Sequence, residues 1–371
     1  MNKKNIGVFT PDFSGGGAEF IAVEVANQLV AEGHNCFLIC ENESGPFLQN
    51  VDDAVSVFSI GKGGIFGSAI KFHQLCKKYD IDSCLTTVRR CNVIAGLAIL
   101  FLKKTFRCLM LEVNTFDTLL KRGYISRFVW LFLMRIAYSN ASAIVSCSND
   151  VANQVKKHIG INHSRHMVIG NPALPDNFEE LVAGDPSDWP TEYSGKEIVL
   201  ISMGRLEEQK NYRFLVQAFK SLYATNNSFR LLLVGSGSQQ EEISQLICEL
   251  DLEKVVKMLP FIINPYPILS RSKVFVMSSK WEGFGNVFIM AAALGLPIVS
   301  SNAPGGVREI VADNYMGRLY EQNDVDGFIH GVNNVLDSVG DEDSIKKRKD
   351  FAQKYKVSVI TKKYINLILN K

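Results

Sequence analysis

The chain lacks most of the features that would place it outside the ordinary globular class. Only 11 of its 371 residues are proline and 28 glycine, against 47% hydrophobic residues, which leaves no room for a long disordered tail. Its eight cysteines form no CxxC pair and seven of them crowd into the first 150 residues, mostly inside apolar runs, so they read as reduced core thiols of a cytosolic protein. Forty Lys and Arg against 38 Asp and Glu give a net charge of +2, too little for nucleic acid binding by bulk charge. No long hydrophobic run is present either. The stretch from Val93 to Leu102 is half the ~20 residues needed to cross a bilayer. Asn5 to Thr10, followed by Pro11-Asp12, is too short for a secretory leader and reads as a first strand. No short repeat or low-complexity tract is visible.

What is present is alternation. Apolar runs near 5–10, 35–40, 55–60, 82–87, 107–112 and 141–147 are separated by amphipathic stretches, the pattern of βα units and a covered parallel sheet. It stops around Gly170-Asn171-Pro172 and resumes near 197–203, 229–234, 255–258, 273–277 and 297–300. The expected organisation is a domain over 1–170, a linker over 171–196, a second domain over 197–340, and closing helices over 341–371. Open α/β sheets bind ligands at the carboxyl ends of their strands, so two such domains facing across a cleft would place a site there.

Glycine-bearing loops fall at those strand ends. Gly15-Gly16-Gly17 follows the first strand and opens a helical run, as a tight turn or as an anion site at a helix start. Gly204-Arg205 and Lys210 follow the strand at 197–203, where the two cations either clamp a diphosphate or belong to a solvated loop neutralised by Glu207 and Glu208. Ser278 to Val287 is the most specific segment: Gly283 and Gly285 expose backbone amides before a helix, and Glu282 can accept from sugar hydroxyls. Gly305-Gly306 follows the next strand. Neither Gly15–Gly17 nor Gly235-Ser236-Gly237 completes a dinucleotide fingerprint, which sets a nicotinamide oxidoreductase aside.

The ordered series Gly15-Gly16-Gly17, Gly204-Arg205 with Lys210, Asn264-Pro265-Tyr266-Pro267, Glu282-Gly283-Phe284-Gly285-Asn286-Val287 and Pro304-Gly305-Gly306 with Arg308-Glu309-Ile310 resembles the family-4 retaining glycosyltransferases, most of all bacterial members that build lipopolysaccharide, O-antigen and other surface glycans. The resemblance implies a GT-B fold, two Rossmann-like domains with the nucleotide sugar, expected to be a UDP-sugar, on the second and a lipid-linked glycan acceptor on the first. It implies that Arg205 and Lys210 bind the donor diphosphate, that Glu282 holds sugar hydroxyls, and that Gly204, Phe284, Gly285, Asn286 and Val287 line the donor, with Gly16 and Gly17 closing over it. The final helix, Ser358 to Leu369, would cross back to the first domain.

The family is metal-independent, and no cofactor is expected. The pairs Asp80/Asp82, Asp324/Asp326 and Asp341/Asp343 read as surface turns. Two positions depart from the family: Met290 stands where a second glutamate usually holds the ribose, and Val113 where many relatives have a histidine. A catalytically weak nucleotide-sugar-binding or scaffolding homologue is therefore the alternative reading. Glu112 and Asn114 are candidates for acceptor contact or for a structural loop role.

Residues 89–138 carry nine basic and two acidic side chains, net +7 in a chain of +2. With Tyr124, Phe128, Trp130 and Phe132 interleaved, the stretch suits either an interfacial helix on anionic headgroups or an ordinary half-buried helix. Peripheral attachment to the inner face of the cytoplasmic membrane is the expectation.

Overall fold

The computed structural model describes residues 3–14, 16–102, 105–160, 164–186, 188–193 and 195–369. They form two units, Met1–Pro172 with Val357–Lys371, and Ala173–Lys356.

The first unit is built on strands β1 (Asn5–Thr10), β2 (Asn35–Cys40), β3 (Ser56–Ser59), β4 (Ser83–Thr86), β5 (Arg107–Glu112), β6 (Ala143–Ser146) and β7 (His166–Val168). All pair in parallel in the order β3-β2-β1-β4-β5-β6-β7. Strands such as β4 and β6 are buried at every position because helices cover both faces, and their small hydroxyl residues Ser83, Thr86 and Ser146 are buried with the apolar ones. Helices Ile65–Lys78, Arg89–Ile99 and Tyr124–Ser139 pack side by side, and Val357–Leu369 packs on helix Gly17–Ala31 and on β4 and β5. The core is rich in thiols: seven of the eight cysteines are buried and Cys248 is exposed. Burial pushes the Cys40 thiol up to about 11, so it stays protonated.

The second unit holds β8 (Ile198–Met203), β9 (Phe229–Val234), β10 (Val256–Leu259), β11 (Val274–Met277), β12 (Ile298–Ser301) and β13 (Gly317–Tyr320), all parallel, in the order β10-β9-β8-β11-β12-β13. Two strands escaped the sequence reading. β7 and β13 are three and four residues long, and Gly317 and Arg318 break the apolar run that would have marked the latter.

The stretch expected as a linker lies mostly inside the second unit. Its acids Asp176, Asp185 and Asp188 are exposed, while the buried Pro190 and apolar anchors fold it down. Leu174 bridges to Lys356, Phe178 opens the short helix Phe178–Val182 and meets Tyr266 edge to face at 5.1 Å, and Tyr193 is buried. Helix Glu342–Gln353 also belongs to this unit. Its Arg348 is 0% exposed and donates to the carbonyls of Gly295 (2.7 Å), Tyr315 (2.7 Å) and Ser338 (3.4 Å).

Candidate functional site

In the second sheet the chain runs outward from β8 through β9 and β10, then returns to β11 and runs the other way. The crossovers leaving β8 and β11 therefore run opposite ways, which makes the carboxyl edge between them the switch point at which open α/β sheets take ligands. Register aligns those ends, with Met203 opposite Val234 and Met277 opposite Ser300. The loops starting at 204, 235, 278 and 302 thus leave along one edge.

Two of these loops are tied together. Lys210 Nζ lies 2.5 Å from Glu282 Oε1, and Ser279 Oγ donates to the same oxygen at 2.6 Å. Both charged side chains are largely buried, so their attraction is weakly screened. Glu282 Oε2 accepts from none of the described residues. Behind the pair, Ser278 Oγ reaches the carbonyls of Lys210 (2.8 Å) and Asn211 (3.0 Å), Lys280 N donates to Gln209 O (2.7 Å), and Gln209 Nε2 donates to Trp281 O (2.8 Å). Tyr212, whose phenol burial pushes above its ordinary value, donates to Gly204 O at 3.4 Å.

Glu207 and Glu208 reach to neighbouring loops, and hydrogen bonds from Ser238 together with the Arg205 charge hold the Glu207 carboxyl below its ordinary range. Glu207 accepts from Ser238 N (2.9 Å) and Oγ (2.7 Å), and Glu208 pairs with Lys280 at 3.2 Å. Arg205 is exposed and donates to Gln209 Oε1 at 3.4 Å, which leaves its guanidinium at the surface of the edge. A Cβ on Gly204 would sit 2.9 Å from Lys210 Cε, so the glycine lets the lysine fold across the loop toward Glu282.

The glycines after β11 and β12 stack one loop on the other. Glu282 N donates to Pro304 O and Gly306 N to Gly283 O, each at 2.9 Å. Gly305 has φ +108°, and a Cβ there would collide with the Glu282 carbonyl oxygen. Gly305→Ala is expected to cost about 2 kcal/mol of stability through combined strain and collision. Gly340→Ala, where a Cβ meets nothing within 4 Å, should be near neutral. Urea denaturation of the two variants side by side checks the difference.

Phe284 is buried, and Gly285, at φ +90°, caps helix Asn286–Ala293, whose first amides Asn286 and Val287 begin at the edge. Met290 lies half-buried one turn further along that helix. The Asn264 to Pro267 motif is used inside the fold: Asn264 Nδ2 donates to Leu181 O at 2.8 Å, and Tyr266 packs on Phe178.

In the first unit Gly16 is the N-cap of helix Gly17–Ala31, and Gly15 lies outside the described residues. Glu112 requires a correction. It is 1% exposed and both carboxylate oxygens are held from inside, by Arg89 NH2 (2.9 Å) and Nε (3.3 Å) and by the Tyr138 hydroxyl (2.5 Å). Buried and paired in this way, Glu112 takes the structural role of its two readings. Burial pushes the Tyr138 phenol far up, aided by the negative Glu112, so Tyr138 remains a donor. Asn114 is exposed, and its carbonyl accepts from Arg89 at 3.2 Å. Sequence reasoning missed Ser279 and Arg89. Ser279 lay within the quoted motif but nothing local marks it as a carboxylate partner, and Arg89 was counted only as surface charge.

The aspartate pairs also have local uses. Asp82 accepts from Asn5 N (3.1 Å), Asp324 caps helix Val325–Leu336 through Gly327 N (2.9 Å), Asp341 caps helix Glu342–Gln353 through Ser344 N (3.1 Å), and Asp343 pairs with Lys347 (2.5 Å). Among the described residues no three His, Cys, Asp or Glu side chains converge as metal ligands.

Comparison with known proteins gives a consistent picture. The family described as glycosyltransferase family 4 matches residues 15–175, and that described as glycosyl transferases group 1 matches residues 187–357. An N-acetylgalactosamine-N,N'-diacetylbacillosaminyl-diphospho-undecaprenol 4-alpha-N-acetylgalactosaminyltransferase of Campylobacter jejuni is 27% identical over 75% of this chain and 72% of its own length. A UDP-Gal:alpha-D-GlcNAc-diphosphoundecaprenol alpha-1,3-galactosyltransferase of Escherichia coli is 24% identical over 86% of this chain and 85% of its own. Among solved structures, HepE of Anabaena in complex with UDP superposes with a TM-score of 0.81 at 18% identity, covering 99% of this chain and 100% of that one. The likeness to HepE establishes the fold.

Proposed function

Because the chain belongs to the family-4 glycosyltransferases of GT-B architecture, we propose that it moves a sugar from a UDP-sugar to a hydroxyl of a lipid-linked glycan during assembly of a surface polysaccharide. The observation that carries this reading is the Lys210–Glu282–Ser279 cluster at the switch point of the second sheet. It sets a cation beside a carboxylate with one oxygen free, the complement of a diphosphate joined to a sugar. The relatives whose names specify a diphospho-undecaprenol acceptor and a UDP-Gal donor support the choice of substrates.

Lys210 and Arg205 would draw the diphosphate oxygens to the carboxyl edge and offset the charge that builds on the departing oxygen, assisted by the start of helix Asn286–Ala293. Glu282 Oε2 would accept from sugar hydroxyls and fix the ring. The bond from the anomeric carbon to the diphosphate oxygen breaks, the acceptor oxygen bonds to that carbon on the same face, and the acceptor proton passes to the departing phosphate oxygen. This yields retention without a protein nucleophile and without a metal. The acceptor's lipid places the reaction at the inner face of the cytoplasmic membrane. Among the described residues no helix is long and apolar enough to cross it.

A second reading, a homologue that binds nucleotide sugars without transferring them, is favoured by Met290, whose thioether cannot replace a carboxylate at the ribose. Calorimetry with UDP- and GDP-sugars in the presence of EDTA, followed by transfer to an undecaprenyl-diphosphate glycan, tests both. The expected result is binding of a UDP-sugar and a product of retained configuration. Binding without transfer to any acceptor supports the second reading, an inverted product overturns retention, and loss of transfer in EDTA overturns metal independence.

A further inference from the structure

We infer that the outward face of helix Tyr124–Ser139 docks on an anionic lipid bilayer, and that it is held there by insertion of an apolar stripe more than by bulk positive charge. The inference deepens the membrane attachment in the proposed function by naming its surface and its force.

The helix is apolar on two sides. Met134, Ala137 and Tyr138 are buried in the core of the first unit, and Gly96 has no side chain because one would strike Ala137 of this helix. On the other side Tyr124, Ile125, Phe128, Val129 and Phe132 repeat every three to four residues in one stripe and are 46 to 80% exposed. A face that only met water would be polar, because leaving so much contiguous apolar surface hydrated is costly. The two helices packed in sequence beside it add the exposed pairs Phe66/Ile70 and Leu100/Phe101, and Phe101 is tied to helix Ile65–Lys78 through His73 at 6.4 Å. Together these are nine of the thirteen large apolar side chains exposed among the described residues.

The charge of 89–138 is smaller at this surface than the sequence suggests. Arg89 is held by Glu112, Arg90 by both oxygens of Glu41 (2.6 and 2.7 Å), and Arg107 by Leu367 O (3.2 Å). Lys103 and Lys104 lie outside the described residues. Arg122, Arg127 and Arg135 lie beside or on the helix, which itself contains no acidic residue. Arg122 lies over Trp130 at 5.3 Å and Arg127 over Tyr124 at 5.4 Å, stems along apolar surface with charged heads at its margin. A second copy of the chain is a poor occupant, since a two-fold contact through this face would set arginine against arginine without a carboxylate. Anionic headgroups above an acyl layer match both the stripe and its margin.

Co-sedimentation of the full chain with phosphatidylcholine vesicles, with and without phosphatidylglycerol, tests this. Neither glycan nor nucleotide sugar is added, so failure here leaves the transferase reading standing. The chain is expected to pellet with the anionic vesicles and to stay bound in part at about 1 M salt, where the Debye length falls to ~3 Å. Ile125→Ser with Phe128→Ser should lower partition about ten-fold or more at either salt concentration. Arg122→Gln with Arg127→Gln should lower it only at low salt. The serine variant should melt like the parent, since both side chains are exposed. Four results would overturn the proposal: no binding to anionic vesicles, complete release by salt, a serine variant that binds like the parent, or a concentration-dependent dimer abolished by the serine pair in a chain that ignores vesicles.

Discussion

Lys210→Ala is expected to lower turnover by ~10²-fold or more at saturating donor, and Glu282→Ala by a similar factor, because in the proposed reaction each would remove a contact that strengthens as charge moves onto the departing diphosphate. The geometry also predicts how the two changes combine. With Lys210 Nζ at 2.5 Å from Glu282 Oε1, deleting the lysine leaves a 5% exposed carboxylate with only Ser279 to satisfy it. Part of the cost of each single change is thus the stranding of its partner. The double variant should be little worse than the poorer single one, an interaction of about 1 to 3 kcal/mol in a double-mutant cycle of kcat/KM. Lys210→Arg should retain charge but not the folded-back position that Gly204 permits, and should recover only part of the rate. Near-normal turnover in both alanine variants would refute the assignment of this site.

The largest effect on stability is expected at Arg348, far along the chain from any motif. Its guanidinium is fully buried and faces three carbonyls with no carboxylate on it, and burial lowers its pKa from the ordinary value. Arg348→Met fills much the same volume yet leaves the carbonyls of Gly295 and Tyr315 without this donor, while Ser338 O keeps Asp341 N at 3.3 Å. Each unsatisfied acceptor costs on the order of 1 to 3 kcal/mol, so a loss of about 2 kcal/mol or more is expected. Two of the three tryptophans, Trp189 and Trp281, lie in the second unit, so the urea midpoint of tryptophan fluorescence should report the change. A loss below about 1 kcal/mol would mean that water or repacking satisfies the carbonyls. Gly295 follows helix Asn286–Ala293, so the same change loosens the far end of the helix that begins at the candidate site.

The sheets were legible because their cause is local. A strand covered on both faces is apolar along most of its length, and β1, β8 and β11 stand out for that reason. The loops were legible because glycine answers to backbone geometry, as at Gly285 and Gly305 with positive φ. β7 and β13 were too short to carry a pattern. The stretch 173–196 reads as a linker by composition and is fastened to the second unit by Leu174, Phe178 and Tyr193, three residues whose role depends on surfaces elsewhere.

Two glutamates mark the boundary between what sequence and tertiary structure each determine. Glu112 and Glu282 each lie at or just beyond the carboxyl end of an apolar strand, and the sequence by itself determined that both sit at that edge of a parallel sheet. Tertiary structure alone decided that Arg89 and Tyr138 close over the first and occupy both its oxygens, while Lys210 and Ser279 take one oxygen of the second and leave the other. The reason is that a carboxylate's chemistry is set by the donors around it. For Glu112 those lie 23 and 26 residues away, and for Glu282 the cation lies 72 residues away, brought near only when the strand crossovers close.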